Sequence, residues 1–164
     1  MMAVGGWHLI EELGRGGNGV VWKAERAGVI AAVKLLHQVR VASDSYRRFR
    51  EEITLLRKLG DHPGILPLLD AELPETPSRS TAAWLAMPIG VSVRTHLGAN
   101  PSLRPVVNGI VSVARTLASL ASRRISHRDI NPENLYYYKG GWVVGDFGLA
   151  EFPGKQPITE AGGH

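Results

Sequence analysis

Apolar and polar residues alternate along much of the first half of the chain, and a period of two is typical of β-strands. This pattern predicts strands over residues 7–13, 20–25, 29–36, 65–70 and 82–87. After the third strand the apolar positions take on the period of a helix, which is predicted to begin with Asp44 as its cap and to end near Leu59. The first half is therefore expected to be a sheet with one helix.

The second half begins with a long predicted helix, from about Arg104 to Arg123. Two neighbouring apolar stripes run along it, formed by Val106, Ile110, Val113, Leu117 and Leu120, and by Val107, Val111, Ala114, Ala118 and Ala121. Its apolar arc is therefore wide. Short strands and turns follow, so the pattern as a whole predicts an α+β fold of two lobes with a boundary near residues 88–92.

The composition is that of an ordinary globular protein, since 44% of the 164 residues are hydrophobic and 21% are charged. Every apolar run is interrupted long before it reaches membrane-spanning length, and there is no cysteine to form disulfides or thiolate metal sites. A cytoplasmic protein without membrane partners is expected. The net charge of +4 comes from scattered Lys and Arg residues, which disfavours nucleic acid as a partner.

Three glycines, Gly14, Gly16 and Gly19, have G-x-G-x-x-G spacing in the segment LGRGGNGVV. A dinucleotide-binding fold would begin a helix at the third glycine, whereas the following VVWKA is β-branched and aromatic. A phosphate-binding Walker loop would require Gly-Lys-Ser/Thr, which is missing. The remaining functional interpretation is a glycine-rich hairpin whose backbone lies close to phosphates. A plain hairpin turn is the alternative.

A charged pair is expected between the strand VIAAVKLL and the helix that follows it. Lys34 shares a strand face with the small Ala32, which leaves room for a flat ring while the ammonium reaches phosphates; a lysine that merely extends to solvent is the alternative. Glu52 shares a helix face with Phe49 and Leu56, and a buried carboxylate requires a partner. We favour an ion pair with Lys34 over a solvent-exposed Glu52.

Two further segments carry polar groups suited to catalysis. In HRDINPEN, residues 127–134, Asp129 stands five residues before Asn134. Asp146 ends the apolar strand WVVGD and is followed by Phe-Gly. Taken singly, each segment also has an interpretation without function. His-Arg-Asp alone could be a surface charge cluster, and Asp-Phe-Gly alone is a common turn.

In order along the chain, GRGGNGVV, AAVK, Glu52, HRDINPEN and DFGLA resemble the catalytic domain of the eukaryotic-type protein kinases, in particular the Ser/Thr kinases that also occur in bacteria. The resemblance covers essentially the whole chain. It implies a bilobal kinase-like fold with a complete N-lobe at residues 1–87, made of an antiparallel sheet and one helix. A hinge is implied at 88–91. Residues 92–164 would form only the first part of the helical C-lobe, truncated before the Ala-Pro-Glu segment.

The resemblance also implies a reaction, the transfer of the γ-phosphate of ATP to Ser or Thr hydroxyls of proteins in the presence of Mg²⁺. The catalytic residues would be Asp129, Lys34, Glu52 and Asn134. Asp129 would accept the proton of the substrate hydroxyl, and Asn134 and Asp146 would hold the metal ions. The nucleotide would be contacted by Leu13, Gly14, Gly16, Gly19, Val21, Ala32, Lys34, Met87, Pro88, Gly90 and Tyr136.

The sequence departs from the family pattern at several positions. Asn131 replaces a lysine that touches the γ-phosphate, Asn18 replaces an aromatic residue at the loop tip, and Tyr136 is bulkier than expected. Because helices that complete the large lobe are missing, self-association or a missing C-lobe partner is expected. The alternative function is a non-catalytic, pseudokinase-like ATP-binding module or an inactive fragment. The resemblance further implies that Arg128 senses a phosphorylated segment, with Thr159 as the candidate phosphosite.

Overall fold

The computed structural model describes residues 2–16, 19–36, 43–75 and 81–155. Its first sheet has six antiparallel strands in the order β1-β2-β3-β4-β6-β5, and its second has three in the order β7-β8-β9. The strands are β1 Ala3–Val4, β2 Trp7–Gly16, β3 Gly19–Arg26, β4 Val29–Leu36, β5 Asp70–Glu72, β6 Trp84–Pro88, β7 Val91–Ser92, β8 Leu135–Tyr138 and β9 Gly141–Val144. The helices are α1 Asp44–Leu59, α2 Val93–Leu97, α3 Leu103–Ser122 and a short 3₁₀ helix Pro132–Asn134. The predicted α+β fold is confirmed.

Helix α1 begins and ends where local hydrogen bonds satisfy its free backbone groups. The hydroxyl of Ser43 accepts a hydrogen bond from the Tyr46 amide at 3.2 Å, which is the usual role of a helix N-cap. At the other end Gly60 has a φ of 55° and donates its amide to Leu56. The sequence-based assignment of Asp44 as the cap is therefore wrong by one residue. Asp44 is the first helical residue, and its carboxylate pairs with Arg47.

The alternation of side chains along β4 separates two layers of the first lobe. Ala31 and Val33 are buried on one face of the sheet, against Trp7 and Trp84. On the opposite face Leu36 packs with residues of α1, β6 and the preceding loop, namely Tyr46, Phe49, Ile53, Ala83 and Leu85. Because Lys34 alternates with Val33, its side chain lies on the side of the sheet that faces α1.

The predicted strand over residues 65–70 is largely wrong. This segment runs between the two sheets with single hydrogen bonds to each: Leu66 donates its amide to Val144 of β9, and Leu69 donates to Ala86 of β6. The regular pairing begins only at β5. Ile65 and Leu66 are each 3% exposed, and separate hydrogen bonds to two neighbouring strands replace a continuous ladder. The short elements β1 and α2 were not predicted.

Helix α3 packs through a narrower face than its apolar pattern suggests. Its buried residues are Gly109, Val113, Thr116 and Leu120. Gly109 is required there, since a side chain would collide with the Trp142 ring of β9. The apolar residues Leu103, Val107, Ile110 and Val111 remain exposed, so part of the wide apolar arc predicted for this helix is uncovered. In the described part of the chain, no helix combines the length and apolar character that crossing a bilayer requires.

Candidate active site

A cavity of about 530 Å³ opens between β2, β3, α1 and the segment that follows β9. Of the residues selected from the sequence, it is lined by Gly14, Gly16, Gly19, Val21, Lys34, Glu52, Asp129 and Asp146. Sequence reasoning missed further lining residues, namely Arg15, Ser45, Arg48, Phe49, Gly148 and Leu149. Arg48 was within reach of sequence reasoning, because it precedes Glu52 by four residues and therefore shares its helix face.

The glycine-rich segment forms the hairpin of β2 and β3 that covers one side of this cavity. Gly16 is paired with Gly19 across the two strands. A Cβ at Gly19 would collide with the carbonyl oxygen of Leu35 on β4, so only glycine fits there. No described atom lies within 4 Å of a Cβ built on Gly14 or Gly16, which leaves their backbone accessible. Asn18 lies outside the described residues.

Lys34 carries the central positive charge of the cavity. Its ammonium Nζ lies 3.0 Å from Oε2 of Glu52 and 3.9 Å from Oδ1 of Asp146, so the predicted ion pair with Glu52 is present. Burial opposes the charge of Lys34, but the carboxylates of Glu52 and Asp146 outweigh it and raise the pKa of Lys34 above its ordinary value. The ammonium therefore stays charged near neutrality.

Glu52 is almost completely enclosed, with a side-chain exposure of 2%. Burial raises the pKa of this carboxyl above its ordinary range, while the charge of Lys34 opposes that rise. The Phe147 ring packs beside α1 in the same core as Leu55 and Leu56. Since Phe147 follows Asp146 directly, packing of its ring places the Asp146 carboxylate at the cavity. Asp146 has a φ of 55°, and its Oδ1 accepts the Gly148 amide at 3.3 Å.

The carboxylate of Asp129 is held by two asparagine side chains. Asn131 donates from Nδ2 to Oδ1 of Asp129 at 3.0 Å, and Asn134 donates from Nδ2 to Oδ2 at 2.9 Å. Asn134 also donates to the Asp129 carbonyl at 2.8 Å. Among the described residues, none donates a hydrogen bond to Oδ1 of Asn134, so that oxygen remains available to a cation.

His127 connects this loop to the end of β9. Its Nε2 lies 2.9 Å from the Gly145 carbonyl, and its Nδ1 accepts the Asp129 amide at 3.3 Å. This pattern fits a neutral ring protonated on Nε2. Burial lowers the pKa of His127 below its ordinary value, which favours the same form. The ring also meets Phe147 edge-on, with centroids 4.6 Å apart.

Several residues predicted to contact the nucleotide are not in the lining of the cavity, namely Leu13, Ala32, Met87, Pro88, Gly90 and Tyr136. Ala32 of β4 pairs with Met87 of β6, and Pro88 pairs with Ala31. Leu13, on β2, is half exposed. These positions neighbour Val21, whose register partner is Lys34.

Tyr136 lies between two glycines, Gly90 and Gly145. A Cβ on either glycine would approach atoms of Tyr136 to 2.8 Å, the Cβ atom from Gly90 and the ring atom Cε2 from Gly145. Burial, followed by the charge of Asp146, raises the pKa of the Tyr136 phenol. The bulky ring is therefore accommodated by the absence of side chains at both of its ends. The sequence analysis recognised the bulk of Tyr136 but not the part played by Gly145.

The side-chain oxygens of Asp146 and Asn134 suit a hard cation that is also coordinated by phosphate oxygens. Asp146 and Asn134 offer carboxylate and amide oxygens, which Mg²⁺ prefers. Across the described residues, no group of three or more His, Asp or Glu side chains could hold a metal ion unaided. Two protein ligands that are completed by substrate oxygens and water fit this arrangement.

Comparison with known proteins relates this geometry to a family. The family model described as "Protein kinase domain" matches residues 7–162. Mitogen-activated protein kinase 15 of Rattus norvegicus is 34% identical over 165 residues, which cover 90% of this chain and 29% of that protein. The serine/threonine-protein kinase Pkn1 of Myxococcus xanthus is 30% identical over 169 residues, or 96% of this chain and 24% of that protein. PknA of Mycobacterium tuberculosis, also a serine/threonine-protein kinase, is 29% identical over 96% of this chain and 38% of its own length.

Proposed function

Because the chain belongs to the protein kinase domain family, we propose that it binds ATP with Mg²⁺ and transfers the γ-phosphate to Ser or Thr hydroxyls of proteins. The observation that carries the proposal is the position of Lys34, which lies 3.0 Å from Glu52 and 3.9 Å from Asp146 at a cavity lined by the glycine hairpin. The chain spans less than two fifths of the length of these relatives, so the activity and substrates of a whole protein belong to the proposal.

In the proposed reaction Lys34 binds phosphate oxygens, and the backbone of Gly14 and Gly16 lies against the same phosphates. Glu52 holds the ammonium in place and is itself held by α1. Phosphoryl transfer requires mainly positioning and charge stabilisation. A preorganised ion pair is suited to this task because it needs no rearrangement when the nucleotide binds.

Asp129 is the proposed base that orients the substrate hydroxyl and accepts its proton. The amides of Asn131 and Asn134 fix both oxygens of its carboxylate, so one geometry is presented to the substrate. Asn134 and Asp146 would hold Mg²⁺, which neutralises negative charge on the phosphates when it is bound. Leu13, Val21, Ala32, Met87, Pro88, Gly90 and Tyr136 are the proposed contacts of the base and ribose.

Residues 88–91 are the proposed hinge between the N-lobe at 1–87 and the partial C-lobe at 92–164. A cytoplasmic location is also part of the proposal, because ATP and protein substrates are abundant there. A partner or a second copy that covers the exposed apolar face of α3 is proposed as well.

A non-catalytic ATP-binding module is the second candidate, and one observation favours it. Asn131 stands where a lysine would bring charge to the γ-phosphate, and its amide is occupied by the Asp129 carboxylate instead. Loss of one such electrostatic donor can cost on the order of 10²–10³ in rate. Nucleotide binding would then persist with little or no transfer.

The proposed function is tested with the 164-residue chain in two measurements. Calorimetry compares the binding of Mg-ATP, ATP with a chelator, and adenosine; transfer of labelled γ-phosphate to Ser- and Thr-containing protein substrates is measured in parallel. We expect Mg²⁺ to strengthen the binding of ATP and not of adenosine, and we expect labelled protein to form. Mg²⁺-dependent binding without transfer would support the binding module, and absence of nucleotide binding would exclude both.

Replacing Gly145 by alanine is expected to weaken ATP binding about tenfold. The new Cβ would lie 2.8 Å from Cε2 of Tyr136, and the backbone of Gly90 lies close to the opposite end of that side chain. Overpacking of this kind typically costs about 1–3 kcal/mol. Isothermal calorimetry with Mg-ATP measures the loss.

Gly141→Ala is the matched control for this prediction, since a Cβ at Gly141 meets nothing described within 4 Å. It should bind ATP as the wild type does. Adding Tyr136→Leu to Gly145→Ala should recover much of the affinity, because the smaller side chain leaves room for the methyl group. Unchanged binding by Gly145→Ala would show that the ring does not form the floor of the nucleotide site.

A further inference from the structure

Lys155 carries a buried positive charge outside the cavity. Only 7% of its side chain is exposed, and its Nζ donates to the Ala150 carbonyl at 2.7 Å. The same ammonium lies 3.7 Å from Oε2 of Glu51 and 3.6 Å from Oε1 of Glu151. A buried lysine is costly unless it is paired, so these contacts determine where the side chain can lie.

Glu51 is the partner that connects Lys155 to helix α1. Its side chain is 11% exposed, and its Oε2 is buried without a hydrogen bond from any described residue. Within the described ranges, Lys155 is the cation that balances this carboxylate. Glu51 immediately precedes Glu52 and is rotated from it by about 100° around the helix axis. Two adjacent carboxylates of α1 are therefore paired with lysines on different sides of the helix.

The segment that carries Lys155 is itself fixed to Ser126, which immediately precedes HRDINPEN. Glu151 exchanges two backbone hydrogen bonds with Ser126, of 2.9 and 2.8 Å. Its carboxylate also accepts from Arg128 at 3.1 Å. That ion pair is exposed and contributes little to stability by itself. The backbone hydrogen bonds between Glu151 and Ser126 fix the position of the segment that carries Lys155. Thr159, the phosphosite expected to act on Arg128, lies outside the described residues.

We propose that Lys155 is a positioning residue that holds α1 in the rotation at which Glu52 meets Lys34. The inference rests on the proposed function, because it assumes that the Lys34 ammonium must be correctly placed to bind the phosphates of ATP. Turning α1 away from the cavity would separate Glu52 from Lys34, and it would separate the buried Glu51 carboxylate from Lys155. The two pairs therefore resist the same motion, and each strengthens the other.

The test measures the affinity of the full chain for Mg-ATP and for adenosine by calorimetry. Lys155→Met is expected to weaken Mg-ATP binding by about 3- to 30-fold, the range found for residues that act through others. Adenosine binding should not change, because adenosine has no phosphate for Lys34. Lys155→Arg keeps the charge and should retain the affinity for Mg-ATP. Lys23→Met, which removes an exposed ion pair with Glu11, is the matched control and should bind as the wild type does.

A double-mutant cycle separates positioning from general stability. In a Glu52→Gln background, Lys155→Met should cause no further loss of ATP affinity, because its effect passes through Glu52. If Lys155→Met does not fold, Glu51→Gln breaks the same pair with a side chain of nearly the same shape, and it should show the same selective loss.

Equal weakening of ATP and adenosine binding, or fully additive losses in the cycle, would overturn the inference. So would a folded Lys155→Met or Glu51→Gln variant that binds Mg-ATP like the wild type. A wild-type chain that binds no Mg-ATP would instead overturn the proposed function, and the inference with it. The wild-type measurement therefore distinguishes the two failures.

Discussion

Replacing Asp146 by asparagine is expected to lower phosphate transfer by at least about 10³-fold and to remove the Mg²⁺ dependence of ATP binding. The side chain keeps its shape but loses the negative charge that a hard divalent cation prefers. It also loses the attraction to Lys34, whose ammonium lies 3.9 Å away. The Asp146 side chain is half exposed, so the protein should remain folded.

The measurement compares Mg-ATP titrations and γ-phosphate transfer for the wild type and Asp146→Asn at several Mg²⁺ concentrations. Asp61→Asn is the control, because it removes the same charge from an exposed position at the end of α1. Phosphate transfer by Asp146→Asn at the wild-type rate would show that this aspartate does not hold the metal. If the wild type and the variant bind ATP with equal Mg²⁺ dependence and neither transfers phosphate, the chain is a binding module.

Replacing Lys34 by methionine is expected to destabilise the fold by about 3–5 kcal/mol, the cost of leaving one member of a buried ion pair alone. The Glu52 side chain is only 2% exposed, so solvent offers little compensation. ATP binding should be lost as well, because the phosphates lose their lysine. Urea unfolding of the variant and the wild type measures the first effect, and calorimetry measures the second.

The pH dependence of this loss follows from Glu52. Burial already raises the pKa of its carboxyl in the wild type, and removal of the Lys34 charge raises it further. A carboxyl whose pKa is higher in the folded state lowers stability as pH rises from its unfolded value towards its folded value. Lys34→Met should therefore be less destabilising at pH 5 than at pH 8.

A second substitution separates stability from function. In Lys34→Met/Glu52→Leu the buried charge is gone, and apolar replacement of buried ion pairs is often neutral or stabilising. Most of the stability should return, while ATP binding should stay lost. A Lys34→Met variant as stable as the wild type at pH 8 would contradict the view that Glu52 is charged and dependent on Lys34.

The elements that surround the site could be predicted from the sequence to a large extent. The period of two over residues 29–36 matches β4 at both ends, and the period of α1 placed Glu52 on its buried face. The spacing of Asp129 and Asn134 brought both groups into one short loop, where they contact each other. These features were predictable because neighbouring residues in the chain determine them.

Contacts between residues that lie far apart in the chain were decided only by the tertiary structure. Residues 65–70 had the apolar pattern of a strand. Because they lie between two sheets, their backbone hydrogen bonds go partly to β9 and partly to β6. Glu51 lies on a different side of α1 from Glu52, and the path of the segment after Phe147 makes Lys155 its counterion. The approach of Gly90 to Tyr136 likewise depends on how β7 lies against β8.

The amino-acid sequence by itself determined which residues form strands and helices, which faces are apolar, and which polar groups lie near one another along the chain. Periodicity expresses short-range geometry, and each residue type has its own preferred conformations. The tertiary structure decided which charges are paired and buried, as with Lys155 and Glu51. Burial and pairing depend on the distance between segments, and many arrangements of the same elements satisfy the same local pattern.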